Sequence, residues 1–173
     1  SLMDLGGHCI DLLEMFLGRV AGVTCVTGNL VQGYASEDTS AALMQFESGA
    51  VGVVDCLFNV PDQSSKNRIE LYGSKGSILA EGTIGQGELG RMTAWLEESE
   101  SGYDAQQQRD AENGLPIQPE PRNMYRAEIE AFSQAILDGT PLPVSAEDGV
   151  WSQRVLAACY ESAATGRRVQ LGA

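Results

Sequence analysis

The chain has 173 residues, of which 24 are acidic and 11 are basic, so its formal net charge is −13 and its pI is near 4.3. Binding to nucleic acids or to anionic lipids needs clustered Lys and Arg, so neither kind of partner is expected. Hydrophobic residues make up 43% of the sequence, which is enough to fold the chain around one core as a single domain, residues 1–173.

The four cysteines lie far apart and form no CxxC pair: they are Cys9, Cys25, Cys56 and Cys159. Since the chain has only one histidine to add to them, no zinc site is expected. All four lie in apolar stretches, which predicts buried, reduced thiols of the kind typical of cytoplasmic proteins. No apolar run approaches the ~20 residues of a membrane span.

The single histidine, His8, lies in the opening stretch between Asp4 and Asp11. Residues four and three apart share one face of a helix. Asp4 is then placed to accept a hydrogen bond from one imidazole nitrogen while the other faces a cleft. Such a pair fixes the tautomer and raises the basicity of the imidazole, as a general base near neutral pH requires. A surface or capping role for His8 is the alternative, and spacing alone leaves both interpretations open.

The predicted elements begin with a helix over 7–17, whose apolar residues follow the helical period and which Gly18 ends. Strand patterns follow, rich in β-branched residues or alternating in polarity, and short turns connect most of them. The predicted strands are Val23–Val31, Thr39–Phe46, Val51–Val60, Arg68–Tyr72, Ser77–Glu81 and Arg91–Glu97.

A polar stretch from Glu98 to Pro121 follows, and its composition predicts a long loop. Two helices complete the chain. Asn123 is predicted to cap the first, which ends at Gly139. Ser145 begins the second as part of a capping box with Asp148, and that helix stops near Gly166.

The fold class predicted from these elements is α+β. Strands joined by hairpins, without helices between them, favour a mostly antiparallel sheet over βαβ units. We expect an open-faced sheet with helices packed on one face. Because the alternating strands carry apolar residues on both faces, we expect the other face to be buried against a second subunit, in a homodimer or homotetramer.

One glycine motif, Gly85–Gly90, matches the GxGxxG pattern of dinucleotide-binding folds. A functional motif of this kind follows a strand and opens a helix. Arg91–Glu97 instead alternates like a strand, so the motif is interpreted as the turn of a β-hairpin. No cofactor-binding residue is assigned to this chain.

The opening stretch resembles the D-x-G-x-H-x-x-D signature of the glucose–fructose oxidoreductase, inositol dehydrogenase and MocA family, through Asp4, Gly6, His8 and Asp11. Other stretches resemble segments of the same family, in the same order along the chain. They are Glu37–Ala50, Ile69–Gly76, Tyr125–Phe132 and Ser162–Val169. The similarity covers nearly the whole chain except the loop at 98–121.

In that family an N-terminal Rossmann domain binds NAD or NADP, and a C-terminal α+β domain supplies the substrate pocket and the dimer sheet. The resemblance implies that this chain is the C-terminal domain alone, a fragment of a longer protein without its dinucleotide-binding domain. It also lacks the lysine that the family carries in an E-K-P motif. We therefore expect the isolated chain to be inactive.

The roles implied by the resemblance fall on His8 and Asp4. His8 takes the place of the general base, which removes a hydroxyl proton as hydride leaves the same carbon for the nicotinamide. Asp4 takes the place of a carboxylate that pairs with this base or with the substrate, whereas Asp11 is assigned to helix structure. The implied function is an NAD(P)-dependent, cytoplasmic dehydrogenase of a sugar, inositol or related polyol. The alternative is a non-catalytic sugar-sensing or scaffolding relative, and no substrate-binding residue is assigned.

Overall fold

The computed structural model of the protein describes residues 1–97 and 114–172. In chain order they form an opening π-helical turn (Leu2–Gly6), α1 (Gly7–Leu17), β1 (Val20–Gly28), β2 (Thr39–Phe46), β3 (Val51–Leu57), a 3₁₀ turn (Asp62–Ser64), β4 (Arg68–Gly73), β5 (Gly76–Glu81), β6 (Arg91–Leu96), β7 (Leu115–Ile117), α2 (Met124–Asp138), α3 (Ala146–Thr165) and β8 (Val169–Gln170). The predicted α+β class is confirmed. These elements divide into a first unit, residues 1–64 and 141–172, and a second unit, residues 65–97 and 114–140.

The first unit is an antiparallel sheet of order β3-β2-β1-β8 whose inner face packs against α1 and α3. The strand period of two places alternate side chains on opposite faces. Cys25, Ala42 and Val54 lie side by side on three strands and are all buried. The neighbouring row, Val26 beside Ala41, points the other way and is exposed. One face of this sheet therefore builds the core, and the other carries exposed apolar residues.

Strand β1 begins and ends three residues earlier than the sequence pattern predicts, at Val20–Gly28 instead of Val23–Val31. The cause of the earlier end is Asp38, whose buried carboxylate accepts hydrogen bonds from three backbone N–H groups, those of residues 30–32, at 2.8–3.1 Å. Burial opposes ionisation of Asp38, but these N–H groups outweigh it and hold its pKa well below the usual range. N–H groups committed to a carboxylate cannot join a strand ladder, so the apolar residues there form a loop.

The second unit contains an antiparallel sheet of order β4-β5-β6-β7, together with α2. The turn between β4 and β5 ends at Gly76, which has a φ of +143°. A Cβ at this position would collide with the carbonyl oxygen of Trp95, so only glycine fits. Gly85–Gly90 lies between the paired strands β5 and β6, which confirms the interpretation of this motif as a hairpin turn.

The predicted loop at 98–121 is only partly described. Its residues 98–113 lie outside the described part of the chain. Leu115–Ile117 forms strand β7, which pairs with β6 (Met92 opposite Ile117), so the loop prediction is wrong for these residues. A three-residue strand is too short to show a sequence period.

Both predicted helix caps are confirmed. The side chain of Asn123 accepts a hydrogen bond from the N–H of Arg126 at 3.0 Å. Ser145 and Asp148 form the reciprocal capping box that begins α3. None of the helices in residues 1–97 and 114–172 has the length and apolar character needed to cross a bilayer.

Candidate active site

The candidate residues Asp4 and His8 lie on either side of the junction between the π-helical turn and α1, and both side chains are exposed. Neither side chain makes a hydrogen bond to any of the described residues, so the expected bond between the two side chains does not form in this structure. Catalytic hydrogen bonds commonly tighten only when a substrate is bound. Asp11, also exposed, lies about one turn further along α1.

The backbone before His8 is unusual because it forms a π turn instead of an α turn. The N–H of Gly6 donates to the carbonyl of Ser1 at 3.3 Å, five residues back. Leu2 is fully buried beneath the turn, and a Cβ at Gly6 would lie 2.7 Å from the Leu2 Cδ1. Glycine therefore allows the turn to close over Leu2. Single π turns are rare and are frequent at functional sites.

This turn is fixed to the rest of the first unit by Glu37. Its Oε1 accepts hydrogen bonds from the backbone N–H of Leu2 at 2.8 Å and from the hydroxyl of Tyr160, on α3, at 3.1 Å. The nitrogen of Ser1 donates to the same oxygen at 2.8 Å. Burial opposes ionisation of Glu37, but these donors prevail and lower its pKa to about 2. Glu37 is thus a charged anchor at neutral pH, next in sequence to Asp38.

The other end of α1 is fixed by Glu14. Its Oε1 accepts hydrogen bonds from the backbone N–H of Val20 at 2.9 Å and from Nε1 of Trp151 at 2.6 Å. The guanidinium of Arg19 lies 5.1 Å above the Trp151 ring and pairs with Asp148 at 2.6 Å. The helix that carries His8 is therefore held at both ends, on one side by Glu37 and on the other by Glu14.

A cleft of about 300 Å³ lies between the C-terminal end of α1 and the start of α3. Asp11, Glu14, Arg19 and Asp148 contribute to its lining, whereas Asp4 and His8 do not. The structure therefore brings Asp11 to a cleft but leaves the two candidate catalytic residues on an exposed surface, one turn closer to the N-terminus.

The family model described as "Oxidoreductase family, C-terminal alpha/beta domain", that of the glucose–fructose oxidoreductase, inositol dehydrogenase and MocA proteins, matches residues 1–171. The chain belongs to this family. The match includes the D-x-G-x-H stretch with Asp4 and His8, and it confirms the resemblance inferred from the sequence.

Individual proteins that match this chain do so at low sequence identity. D-xylose 1-dehydrogenase (NADP(+)) 2 of Haloferax volcanii is 26% identical over 99% of this chain and 48% of its own length. Myo-inositol 2-dehydrogenase of Thermotoga maritima is 26% identical over 98% of this chain and 48% of its own. The crystal structure of aldose-aldose oxidoreductase from Caulobacter crescentus with glycerol is 25% identical, with a TM-score of 0.81, and covers 99% of this chain and 47% of that one. The chain thus spans about half the length of the curated relatives it matches.

Within this oxidoreductase-family domain, the residues that anchor α1 were missed by sequence reasoning. Glu37 lies in a stretch that resembles the family but was assigned no role, and Tyr160, 123 positions away, was assigned none either. A local signal existed only for the neighbouring Asp38, because Asp side chains often accept hydrogen bonds from backbone N–H groups close in sequence, and no such pattern marks Glu37. No local pattern can show that Tyr160 and Leu2 share its carboxylate.

Proposed function

We propose that this chain is the C-terminal domain of a cytoplasmic, NAD(P)-dependent dehydrogenase that oxidises a CH–OH group of a sugar, inositol or related polyol. The observation that carries the proposal is the oxidoreductase-family match over residues 1–171, which includes the stretch with His8. The names of the xylose and inositol dehydrogenases support the substrate class, and the first also names NADP.

In the proposed reaction His8 is the general base. Imidazole accepts a proton near neutral pH, and the exposed ring of His8 is not committed to any described residue. Through one ring nitrogen it takes the proton of the substrate hydroxyl while hydride leaves the same carbon. Asp4, also exposed, orients the imidazole or accepts a hydrogen bond from a second substrate hydroxyl. The fixed ends of α1 support this role, since a base must be held within hydrogen-bond reach of its substrate.

The dinucleotide, NAD or NADP, is assigned to a part of the protein outside this chain. Among the described residues, Gly85–Gly90 is the stretch that matches a dinucleotide motif, and a strand instead of a helix follows it. No helix N-terminus is therefore offered there to a pyrophosphate. A nicotinamide bound by a separate N-terminal domain accepts the hydride, and the isolated chain is expected to be inactive.

The proposed assembly is a homodimer or homotetramer formed through the outer face of the first sheet. Large apolar side chains of β1, β2 and β3 are exposed there: Val26, Leu43, Val51, Val53 and Leu57. Contiguous exposed apolar surface of this kind marks interaction sites. Leu43→Glu should convert the assembly to a monomer by light scattering, whereas Tyr72→Glu, on an exposed position of the second unit, should not. A parent protein that is monomeric at micromolar concentration would refute this assembly.

The test of the dehydrogenase is cofactor reduction by the full-length protein over a panel of sugars and polyols, with NAD and NADP. His8→Ala should lower kcat by about 100-fold or more, the usual contribution of a general base. Phe16→Leu is the matched control, because Phe16 is 47% exposed on the same helix and does not line the cleft. It should keep the parent's activity.

Two outcomes would contradict the proposal in different ways. A His8→Ala variant as active as the parent would remove His8 from the mechanism while leaving the enzyme class intact. Binding of sugars without reduction of either cofactor would favour the non-catalytic sugar-sensing relative. Isothermal titration with the same panel separates two explanations for a lack of cofactor reduction. Binding of a sugar indicates the non-catalytic relative, whereas no binding indicates that the panel lacks the substrate.

A further inference from the structure

The four cysteines, distant in sequence, meet in two pairs. Cys9 on α1 interacts with Cys56 on β3, and Cys25 on β1 interacts with Cys159 on α3. Each pair connects a helix of the first unit to its sheet. All four thiols are free. The proposed dehydrogenase reaction uses none of them, so any chemistry of these thiols is independent of that proposal.

The first pair lies beneath the start of α1. The Sγ of Cys56 is 3.6 Å from the point where a Cβ would stand on Gly6, three residues before Cys9. Cys56 is only 3% exposed, whereas Cys9 is half-buried. The pair therefore combines a half-buried cysteine with a fully buried one.

The two thiols also differ in acidity. The hydrogen bond from Cys56 stabilises a thiolate on Cys9 and lowers its pKa, against the opposing effect of burial. The same hydrogen bond, together with burial, raises the pKa of Cys56. The first thiolate thus forms on Cys9, the less buried cysteine of the pair. Cysteines that react with peroxides combine an acidic thiol that is not fully buried with a neighbouring thiol that resolves the product.

We propose that Cys9 and Cys56 form a disulfide when the protein meets a hydroperoxide. The Cys9 thiolate attacks one oxygen of hydrogen peroxide, the O–O bond breaks, and Cys9 becomes a sulfenic acid as hydroxide leaves. The Cys56 sulfur then attacks the sulfenic sulfur, its proton leaves with the departing hydroxyl as water, and the S–S bond forms. In total two thiols lose two electrons and one peroxide becomes two waters. The bond ties the residue next to His8 to strand β3.

The second pair provides an internal control. Cys25 and Cys159 are 2% and 0% exposed, and the N–H of Cys25 donates to the hydroxyl of Ser162, one turn beyond Cys159, at 2.9 Å. This pair has the same helix-to-sheet arrangement, but both of its cysteines are fully buried. It should therefore stay reduced while the protein remains folded.

The experiment exposes the full-length protein to a small excess of hydrogen peroxide, then alkylates free thiols in denaturant and digests with trypsin and Glu-C without reduction. Cleavage after Glu14, Glu37, Glu47 and Arg154 puts the four cysteines on separate peptides. Mass spectrometry should show the Cys9–Cys56 cross-link forming at least ~10-fold faster than the Cys25–Cys159 cross-link, because only the first pair includes a cysteine that is not fully buried. Dithiothreitol should reverse it.

The outcomes that would overturn the proposal need no variant. They are sulfinic acid on Cys9 without a cross-link to Cys56, equal rates for the two pairs, or a Cys9 that stays fully alkylatable. Two variants refine the result. Cys56→Ser should stop Cys9 at the sulfenic acid, which dimedone traps, whereas Cys159→Ser should leave the Cys9–Cys56 cross-link unchanged.

Discussion

The two units of this protein differ in what they bury. The clustered core of large side chains lies wholly in the first unit, with Leu2, Ile10, Phe46 and Leu156 among its members. In the described part of the second unit the buried hydrophobic residues are all alanines: Ala80, Ala94 and Ala135. Many of its larger apolar residues are exposed, including four along α2: Ile129, Phe132, Ile136 and Leu137. Since burial of apolar surface is the main driving force of folding, the candidate site stands on the better-supported unit.

The largest expected effect is a loss of stability, and it is tested by truncating one leucine in a helix of each unit. Leu156→Ala on α3 should lower the free energy of unfolding by about 2–5 kcal/mol, because Leu156 is 1% exposed and its loss leaves a cavity. Leu137→Ala on α2 is the matched control. It should change stability by less than about 0.5 kcal/mol, since Leu137 is 79% exposed. Urea unfolding followed by circular dichroism measures both values.

Equal losses for the two leucine variants would contradict the comparison. They would mean that in solution Leu137 is buried against another surface, such as a second subunit. Repeating the measurement at several protein concentrations would then identify that surface, because a subunit contact makes stability depend on concentration.

The elements that the sequence predicted well carry their own local signals. Helix α1 has its apolar period and Gly18, and α3 has the Ser145 capping box, so both were placed correctly. Strand β1 was misplaced because Leu30 and Val31 extend the strand-like pattern, and only the contacts of the Asp38 carboxylate show otherwise. Short strands β7 and β8 contain too few residues to show a period.

The candidate site was predictable to a similar extent. The spacing of Asp4 and His8 and the family signature placed both on one short stretch, which the structure describes as a π turn followed by α1. The support of that stretch was not predictable, because Glu37 and Tyr160 reach it only through the folded chain. Sequence thus indicates candidate site residues more easily than it indicates which residues hold them in place.

The second prediction concerns Glu37, the anchor of the first unit's opening turn. Glu37→Gln should lower stability at pH 7 by about 1.5–3 kcal/mol, the usual value of hydrogen bonds to a charged group. In the 173-residue chain, where the Ser1 nitrogen is an ammonium group that donates to this carboxylate, folding lowers the pKa of Glu37 from its ordinary 4.5 to about 2. Its contribution is therefore complete above pH 4.5 and is lost as the pH falls toward 2. The stability difference between parent and variant should shrink over that same interval.

Urea unfolding at a series of pH values between 2 and 7 measures this difference. Glu47→Gln is the matched control, because Glu47 is an exposed carboxylate in the same unit whose side chain makes no hydrogen bond to the described residues. It should follow the parent at every pH. A constant gap between the parent and Glu37→Gln down to pH 2 would show that packing, and not charge, gives Glu37 its effect.

The smallest expected effect compares the helix caps of the two units. Ser145→Ala removes the cap of α3 and should cost about 1 kcal/mol of global stability. It also removes the hydrogen bond from the Ser145 hydroxyl that, together with the backbone N–H of residue 145 and Arg19, lowers the pKa of Asp148. Asn123→Ala removes the single cap bond of α2.

Because α3 buries Val155 and Leu156 in the core, weakening its first turn should shift the cooperative unfolding midpoint. Helix α2 buries only Ala135, so its variant should instead lose helical circular dichroism before the transition. Identical midpoint shifts for both variants would mean that α2 unfolds together with the core, and that the two units form one cooperative structure.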